Sequence, residues 1–409
     1  MTSQEGVLLI FLLAYVGLAL GRYPLVRLDR TGIALVGAIA LLAGGFISRQ
    51  EAREAIDDST IILLFSLMLL SGQLHIAGFY DNLALRILHL SQKPKVLLAL
   101  VLISSGITAS LFTNDVVCVA FTPVILELVR KTGQNPIPYL LAIATGSNSG
   151  GVATLIGNPQ NVLIGEAGNL SFYRYSLHMA LPTVWSLGVN YLVLYFLYRT
   201  ELSQKLDLKT SLPLATLPPL NEYIIRKTLV YTVIMLIAFF VGMPRDISAL
   251  VAAGAVLVSR KTSAERLYPT VDFKLLILFV SLFILTGALE KKGILKNAID
   301  YLSYHGWDLQ DRWQLTLLTV ALSNMVSNVP AVMLLKFVPG ENEFLWELLA
   351  FTSTLAGNLT ILGSIANLIV LEKAREAGYF ISFGEYLRMG FLYSVFAIPG
   401  GIFLLAIFH

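Results

Sequence analysis

The sequence is poor in charged residues and in cysteine. Asp, Glu, Lys and Arg make up 13% of its 409 residues, whereas about 25% is usual for soluble globular proteins. Hydrophobic residues make up 56% and recur in long segments from one end to the other. This composition excludes an ordinary soluble protein and predicts an integral membrane protein. The single cysteine, Cys118, excludes an intramolecular disulfide and a metal site made of several cysteines.

The sequence also lacks the marks of a signal peptide and of a protease. The first residues contain neither a basic segment nor a small-residue cleavage site, so we expect the first helix to belong to the mature protein. There is no HExxH zinc motif, and no second acidic residue accompanies Asp115 deep in a hydrophobic segment. We therefore predict no enzymatic activity, no cofactor, no metal centre and no nucleic-acid partner.

Two hydrophobic segments are each interrupted by a short polar motif. Residues 95–130 are too many for one helix that crosses the bilayer, which takes about 20 residues, and they are broken at a Thr-Asn-Asp motif. Residues 313–336 are broken in the same way at a Ser-Asn-Val motif. Irregular backbone at membrane depth must be buried in protein. We therefore predict two re-entrant hairpins that turn back at these motifs.

Two further segments carry glycine and asparagine where a crossing helix would have its middle. Residues 137–165 contain Ser-Asn-Ser-Gly-Gly at 147–151, and residues 348–371 contain Ala-Gly-Asn at 356–358. We predict that the helix is unwound at both motifs. The predicted fold class is an all-α polytopic membrane protein with about ten transmembrane helices, two re-entrant hairpins and two unwound crossings.

The second half of the chain repeats the first. Thr-Leu-Ile-Gly at 154–157 matches Thr-Ile-Leu-Gly at 360–363, and Asn161 matches Asn367 at the same spacing. Because each half contains an odd number of predicted crossings, the second must be inverted in the membrane, and paired broken segments in inverted repeats mark a transporter's binding site. The predicted parts are a first repeat, a cytoplasmic connector and a second repeat, at residues 1–200, 201–227 and 228–409.

The basic residues are distributed unevenly among the predicted loops. With the N-terminus outside, most of the 29 Lys and Arg residues lie on the inner side, as the positive-inside rule requires. All four tryptophans then lie near the outer face, as interfacial anchors do. We predict a protein of a prokaryotic plasma (inner) membrane with both termini on the outer side.

The polar interruptions supply the candidate residues for binding a substrate or an ion. Helix ends at the middle of the bilayer offer free amides, whose dipoles favour anions, and unwound backbone offers carbonyls for cations. The alternative is that these groups only replace the hydrogen bonds lost where the helix is broken. The candidates are Thr113, Asn114, Asp115, Ser147, Asn148, Gly151, Thr154, Asn158, Asn161, Ser327, Asn328, Asn358, Thr360, Ser364 and Asn367.

Asp115 is the candidate coupling residue. An ionised carboxylate deep in the membrane is costly unless it meets a cation or takes up a proton, so Asp115 can exchange a proton for substrate. Sodium is the alternative coupling ion, bound at Asn114, Asp115 and Asn148. A structural alternative is that Asp115 caps the second helix of its hairpin. The matching residue in the second repeat is Val329, so the two halves are not equivalent.

The sequence resembles the ion-transporter superfamily, most closely its branch of arsenite efflux permeases and plant silicon efflux transporters. More distantly, it is similar to sodium/proton antiporters and to divalent-anion/sodium symporters. The resemblance implies a homodimer in which a scaffold domain holds the interface and a transport domain moves like an elevator. The motifs that resemble this family are Phe-Thr-Asn-Asp-Val-Val-Cys-Val-Ala-Phe-Thr-Pro (112–123), Gly-Asn-Pro-Gln-Asn (157–161), Ser-Asn-Val-Pro (327–330) and Ala-Gly-Asn-Leu-Thr-Ile-Leu-Gly-Ser-Ile-Ala-Asn-Leu (356–368).

The resemblance implies a secondary transporter that exports a small inorganic oxyacid or oxyanion, of the arsenite or silicic acid type, in exchange for protons. The related dicarboxylate and citrate carriers have Ser-Asn-Thr at both hairpin tips, so the acidic residue at 115 favours proton coupling over sodium–carboxylate symport. A sodium/proton antiporter and a sodium- or proton-coupled dicarboxylate or citrate carrier are the alternatives. A channel would not require two inverted broken repeats with one asymmetric acid.

Overall fold

The computed structural model describes residues 3–21, 27–91, 93–131, 134–203, 220–258 and 263–409, and all their regular secondary structure is helical. Most of the predicted connector, residues 204–219, lies outside these ranges. The first half contains α1 (Ser3–Leu20), α2 (Arg30–Ala43), α3 (Arg49–Ala55), α4 (Asp58–Ile76), α5 (Phe79–His89), α6 (Pro94–Leu111), α7 (Asn114–Lys131), α8 (Ile137–Gly151), α9 (Pro159–Ala167) and α10 (Phe172–Leu197). The second half contains α11 (Glu222–Phe240), α12 (Arg245–Leu257), α13 (Ala264–Leu267), α14 (Phe273–Lys291), α15 (Ile294–Tyr304), α16 (Arg312–Val326), α17 (Asn328–Leu335), α18 (Glu343–Ala356), α19 (Ile365–Glu376) and α20 (Phe383–Leu405).

Six of these helices are long and apolar enough to cross a membrane: α4, α6, α10, α11, α14 and α20. Helices α1 and α2 are apolar but shorter. The helical architecture of a polytopic membrane protein is therefore confirmed for the described residues. The positions of the hairpins and the repeats in a bilayer remain predictions.

The same order of local features occurs in both halves. The short polar helices α3 and α13 each begin after a serine, Ser48 or Ser263, whose hydroxyl accepts a backbone N–H of the first turn. The long apolar helices α4 and α14 follow, each of 19 residues. Each ends before a glycine with positive φ, Gly78 at 76° or Gly293 at 69°, where an L side chain would be strained. An 11-residue helix then begins in both halves.

The two predicted hairpins are pairs of helices joined by very short breaks. Helices α6 and α7 are separated by Phe112 and Thr113, and α16 and α17 by Ser327 alone. Ser327 has a φ of 78°, which is unfavourable for a residue other than glycine. Its hydroxyl donates to the Gly363 carbonyl at 3.4 Å, so contact with the second broken helix helps to hold this conformation.

The first broken crossing is not unwound where the sequence predicts. Helix α8 continues through residues 147–151, and the break occupies residues 152–158. Gly150 of this motif instead permits close helix packing, because a Cβ there would collide with the Gly106 backbone of α6. In the second crossing α18 ends at Ala356, so the break begins at the predicted motif.

The helices fall into two groups according to their contacts. The first, which we call the hairpin group, comprises α6 to α10 and α16 to α20, with α6 on α8, α10 on α20 and α16 on α18. The second, the flanking group, includes α1, α2, α4, α11, α12 and α14, with α12 on α4 and α14 on α2. The groups meet where α4 packs on α9, α14 on α17, α1 on α16 and α11 on α10. Both hairpins and both broken helices therefore lie in one group.

Candidate functional site

Asn148, near the C-terminal end of α8, links the two halves of the chain by hydrogen bonds. Its Oδ1 accepts from Nδ2 of Asn114 at 2.8 Å and from the hydroxyl of Ser364 at 3.2 Å. Its Nδ2 donates to Oδ1 of Asn358 at 2.8 Å and to Oδ1 of Asn367 at 3.2 Å. All five residues are buried, and all were predicted for the site. They form one network that joins the first hairpin tip to the second broken helix.

Thr354, in α18, is the counterpart of Asn148. Its hydroxyl lies 3.2 Å from both Nδ2 of Asn158 and Nε2 of Gln160 and donates to Oδ1 of Asn161 at 3.3 Å. Thr354 thus contacts the first broken helix as Asn148 contacts the second. Thr354 and Gln160 are not among the predicted site residues. Thr354 lies as many residues after Asn148 as Asn367 lies after Asn161. The internal repeat is therefore the sequence signal that could have identified Thr354.

Asn161 and Asn367 close the two breaks by equivalent hydrogen bonds. Nδ2 of Asn161 donates to the carbonyls of Gly151 at 3.4 Å and Thr154 at 3.2 Å. Nδ2 of Asn367 donates to the two matching carbonyls of the second break, at 2.7 and 3.2 Å. Carbonyls at a helix end have no partner within the helix, so these amides replace the lost hydrogen bonds. For Asn161 and Asn367, these contacts favour the alternative that the polar groups replace the hydrogen bonds lost where the helix is broken.

Thr154 and Thr360 fasten each break to the first helix of the hairpin in its own half. The Thr154 hydroxyl donates to the Ser110 carbonyl of α6 at 2.6 Å. The Thr360 hydroxyl donates to Oδ1 of Asn324 in α16 at 2.8 Å. Asn324 is a further polar residue that was not predicted for the site. These contacts make the hairpins and the broken helices one hydrogen-bonded unit.

The asparagines of the two hairpin tips also contact the breaks. The backbone N–H of Asn114 donates to the Gly157 carbonyl at 3.0 Å. The Asn328 amide is satisfied in the orientation in which its nitrogen donates to the Gly363 carbonyl at 2.6 Å and its oxygen accepts from Gln160 at 3.2 Å. At both hairpin tips, an asparagine N–H therefore donates to a glycine carbonyl in a broken segment.

Ser147 and Gly151 have packing roles in this structure. The Ser147 hydroxyl lies 3.2 Å from Sγ of Cys118 in α7 and donates to the Ala144 carbonyl at 3.0 Å, so it faces α7 rather than the network around Asn148. A Cβ on Gly151 would come within 2.8 Å of the Gly157 carbonyl. Only glycine therefore lets the two ends of the first break approach this closely.

Asp115 is the second residue of α7 and is half-buried next to the buried Thr113 and Asn114. Its backbone N–H donates to Oδ1 of Asn114 at 3.0 Å. Within the described ranges no donor lies within hydrogen-bonding distance of its carboxylate, so no contact supports the capping alternative. The carboxylate is thus available to a proton or a cation.

The side chains of the network are neutral amides and hydroxyls, and Asp115 is the charged group beside them. A sodium ion at Asn114, Asp115 and Asn148 would have to compete with hydrogen bonds, because Oδ1 of Asn114 and Oδ1 of Asn148 already accept them. Paired amides and hydroxyls both donate and accept. They suit a small solute that carries several hydroxyl groups.

Comparisons with known proteins relate the chain to membrane transporters. The family model described as citrate transporter (CitMHS) matches residues 15–356. The silicon efflux transporter LSI3 of Oryza sativa subsp. japonica is 29% identical over 90% of this chain and 90% of that protein. The putative transporter arsB of Dictyostelium discoideum is 24% identical over 92% and 87%. The YdaH transporter of Alcanivorax borkumensis shares the fold, with a TM-score of 0.60 at 14% identity over 100% of this chain and 98% of that one.

Proposed function

The chain belongs to the citrate transporter family (CitMHS), and on that premise we propose that it exports a small inorganic oxyacid or oxyanion in exchange for protons. Membership of this family and similarity to silicon and arsB-type transporters support an integral membrane transporter of anions or oxyanions. The finer proposal is a substrate of the arsenite or silicic acid type. Because the relatives are transporters, we expect no enzymatic step.

The observation that carries this choice of substrate is the neutrality of the buried network. A citrate or dicarboxylate anion would need compensating cations, because a buried carboxylate is costly without a charged partner. The side chains that meet around Asn148 and Thr354 are amides and hydroxyls. Arsenous and silicic acids are uncharged near neutral pH and present only hydroxyl groups. They can replace hydrogen bonds of this network without introducing a net charge.

The short helix α17 supports the proposed re-entrant hairpin of the second half. Helix α17 has 8 residues and so extends about 12 Å, far less than the ~30 Å of a hydrocarbon core. It can reach the middle of a bilayer and turn back, but it cannot cross. Helices α8 and α9, of 15 and 9 residues, can cross only together. This arrangement supports a substrate site near the middle of the membrane.

An ion pair joins the hairpin group to the flanking group at one end of the first broken helix. Arg245, the first residue of α12, bonds through Nε to Oε1 of Glu166 at 2.8 Å. Its terminal nitrogens donate to the carbonyls of Leu170 at 2.6 Å and Gly165 at 2.7 Å. Three charge-assisted hydrogen bonds thus hold the C-terminal end of α9 against α12.

The matching contact of the second half is not formed. Arg30 is the first residue of α2, as Arg245 is of α12, and Glu372 of α19 matches Glu166 in the repeat. Nη1 of Arg30 is buried without a hydrogen-bond partner among the described residues, and Glu372 is exposed. In the proposed orientation, Arg245 lies at the outer side of the membrane, where the two groups are in contact. Arg30 lies at the inner side, where the matching contact is open.

This asymmetry supports alternating access of the elevator type. Two inverted repeats can exchange their conformations, so in the opposite state Arg30 binds Glu372 and Arg245 releases Glu166. The hairpin group would move as the transport domain and the flanking group would stay as the scaffold. The homodimer implied by the family resemblance belongs to this proposal, with the flanking group at the dimer interface.

Asp115 couples transport to the proton gradient in this proposal, and transport by purified protein in liposomes tests it. Wild-type protein should move arsenite or silicic acid when a proton gradient is imposed, and Asp115→Asn should abolish gradient-driven movement while the protein stays folded. Wild-type coupling in Asp115→Asn would overturn this mechanism. Movement driven only by a sodium gradient, or movement of citrate alone, would favour the antiporter or the citrate-carrier alternative.

A further inference from the structure

A separate cluster of two histidines and a glutamate lies outside the network around Asn148. His178 is in α10, Glu347 is in the second turn of α18, and His409 follows α20. Nδ1 of His178 lies 3.0 Å from Oε1 of Glu347, and Nε2 of His409 lies 2.9 Å from Oε2. The three donor atoms lie within 4.8 Å of one another. Three helices therefore converge on one carboxylate.

The Glu347 carboxyl group is buried between the two imidazoles, and among the described residues no lysine or arginine forms an ion pair with it. The Glu347 side chain is 0% exposed, and those of His178 and His409 are 15% and 21% exposed. Arg174, the nearby cation, pairs instead with Glu343 at 3.9 Å. An ionised carboxylate in a buried site requires a positively charged partner. A divalent cation between the two imidazoles would supply that charge.

Aromatic rings hold both imidazoles in place. Phe408 stacks on His178, with ring centroids 5.1 Å apart and planes at 19°. Phe344 packs edge-on against His409 at 5.2 Å. Rings fixed in this way keep Nδ1 of His178 and Nε2 of His409 directed at the carboxylate. The set is therefore preorganised for ligation rather than assembled from mobile surface side chains.

We propose that His178, Glu347 and His409 bind a divalent transition-metal ion of the zinc class. Imidazole nitrogen suits zinc, cobalt, nickel and copper, whereas magnesium and calcium prefer oxygen ligands. Ligand atoms lie about 2.0–2.2 Å from such an ion, so atoms within 4.8 Å of one another need only a small adjustment. Two nitrogens and one oxygen leave a position open for water at the partly exposed edge. The ion would tie the end of α20 to α10 and α18.

Metal titration of the purified full chain tests this site, with a histidine-free affinity tag at the N-terminus. After treatment with a chelator, the protein should bind one Zn²⁺ or Co²⁺ per chain, and bound Co²⁺ should show the visible absorption of a tetrahedral site. Zn²⁺ should raise the melting temperature, whereas Mg²⁺ should not. His178→Ala and Glu347→Gln should each weaken Zn²⁺ binding about 10-fold or more, because three ligands leave no spare donor.

His305→Ala is the matched control, because His305 is an exposed histidine whose ring bonds to the Tyr301 carbonyl of α15 and packs on Tyr301 and Tyr304. It should bind Zn²⁺ as the wild type does. The Co²⁺ spectrum of the wild type keeps the test decisive if a variant fails to fold. The proposal is overturned if wild-type protein shows no tetrahedral Co²⁺ spectrum, or if His178→Ala and His305→Ala bind Zn²⁺ equally. The cluster would then be a hydrogen-bonded triad that shares protons.

Discussion

At the scale of single residues, Asn148 is the point at which most interactions of the site converge. Each of its four side-chain hydrogen bonds reaches a different buried residue. Asn148→Ala leaves those partners unsatisfied, so we expect a loss of transport and a decrease of about 1–3 kcal/mol in the free energy of unfolding. Denaturant unfolding in detergent micelles measures the second effect.

The control for this substitution is Asn297→Ala, because Asn297 is exposed on α15. Its effect on stability should stay within about 0.5 kcal/mol. Equal stability of the two variants would show that the hydrogen bonds of Asn148 contribute nothing net. Retained transport in Asn148→Ala would exclude Asn148 from the substrate path.

The sequence predicts the asparagines that bond to Asn148, but it does not single out Gln160, Asn324 or Thr354. Asn148, Asn161 and Asn367 stand out because amides are rare inside hydrophobic segments. Thr354 does not stand out, since a threonine can bond to its own helix backbone and is common in transmembrane helices. Glu347 also escapes notice, because the predicted crossing begins one residue after it. Its burial depends on two histidines that are distant in sequence.

At the scale of secondary-structure elements, the glycines of α8 determine how closely it packs on α6. We expect Gly150→Ala to destabilise the protein by about 1–3 kcal/mol or more, because its Cβ would meet the Gly106 backbone. Gly254→Ala in α12 is the matched control, since a Cβ there would meet nothing within 4 Å. It should be neutral or stabilising by about 0.5–1 kcal/mol. A thermal melt of both variants measures the contrast, and equal melting temperatures would contradict it.

The elements of the hairpins follow from sequence, but the first break does not. The hairpin predicted at 95–130 corresponds to α6 and α7, Pro94–Leu111 and Asn114–Lys131. The motif at 147–151 was expected to unwind because glycine weakens an isolated helix. In the folded protein Gly150 packs against α6 and Gly151 against Gly157 at the other end of the break, and such packing stabilises the helix. Sequence alone does not separate these two uses of glycine.

At the scale of the whole molecule, two arginines that match in the repeats have different environments. Arg245 makes three hydrogen bonds to α9 and its following loop, whereas Nη1 of Arg30 has no partner among the described residues. A pattern of repeats predicts that both positions exist, but it does not predict which one is engaged. In the proposed mechanism, that choice reflects a difference between two states of similar free energy.

Opposite effects of Arg245→Gln and Arg30→Gln are therefore the sharpest prediction of alternating access. Hydrogen bonds to a charged group contribute about 1.5–3 kcal/mol each, so Arg245→Gln should shift the equilibrium at least ~10-fold away from the conformation described here. Arg30→Gln should stabilise this conformation, and both variants should transport more slowly. Hydrogen exchange measures the shift: residues 165–170 should exchange faster in Arg245→Gln, and residues 371–376 faster in Arg30→Gln.

Arg312→Gln, a change at an exposed arginine over Trp313, should alter neither segment. If both arginine variants accelerate exchange only at residues 165–170, the two contacts do not alternate.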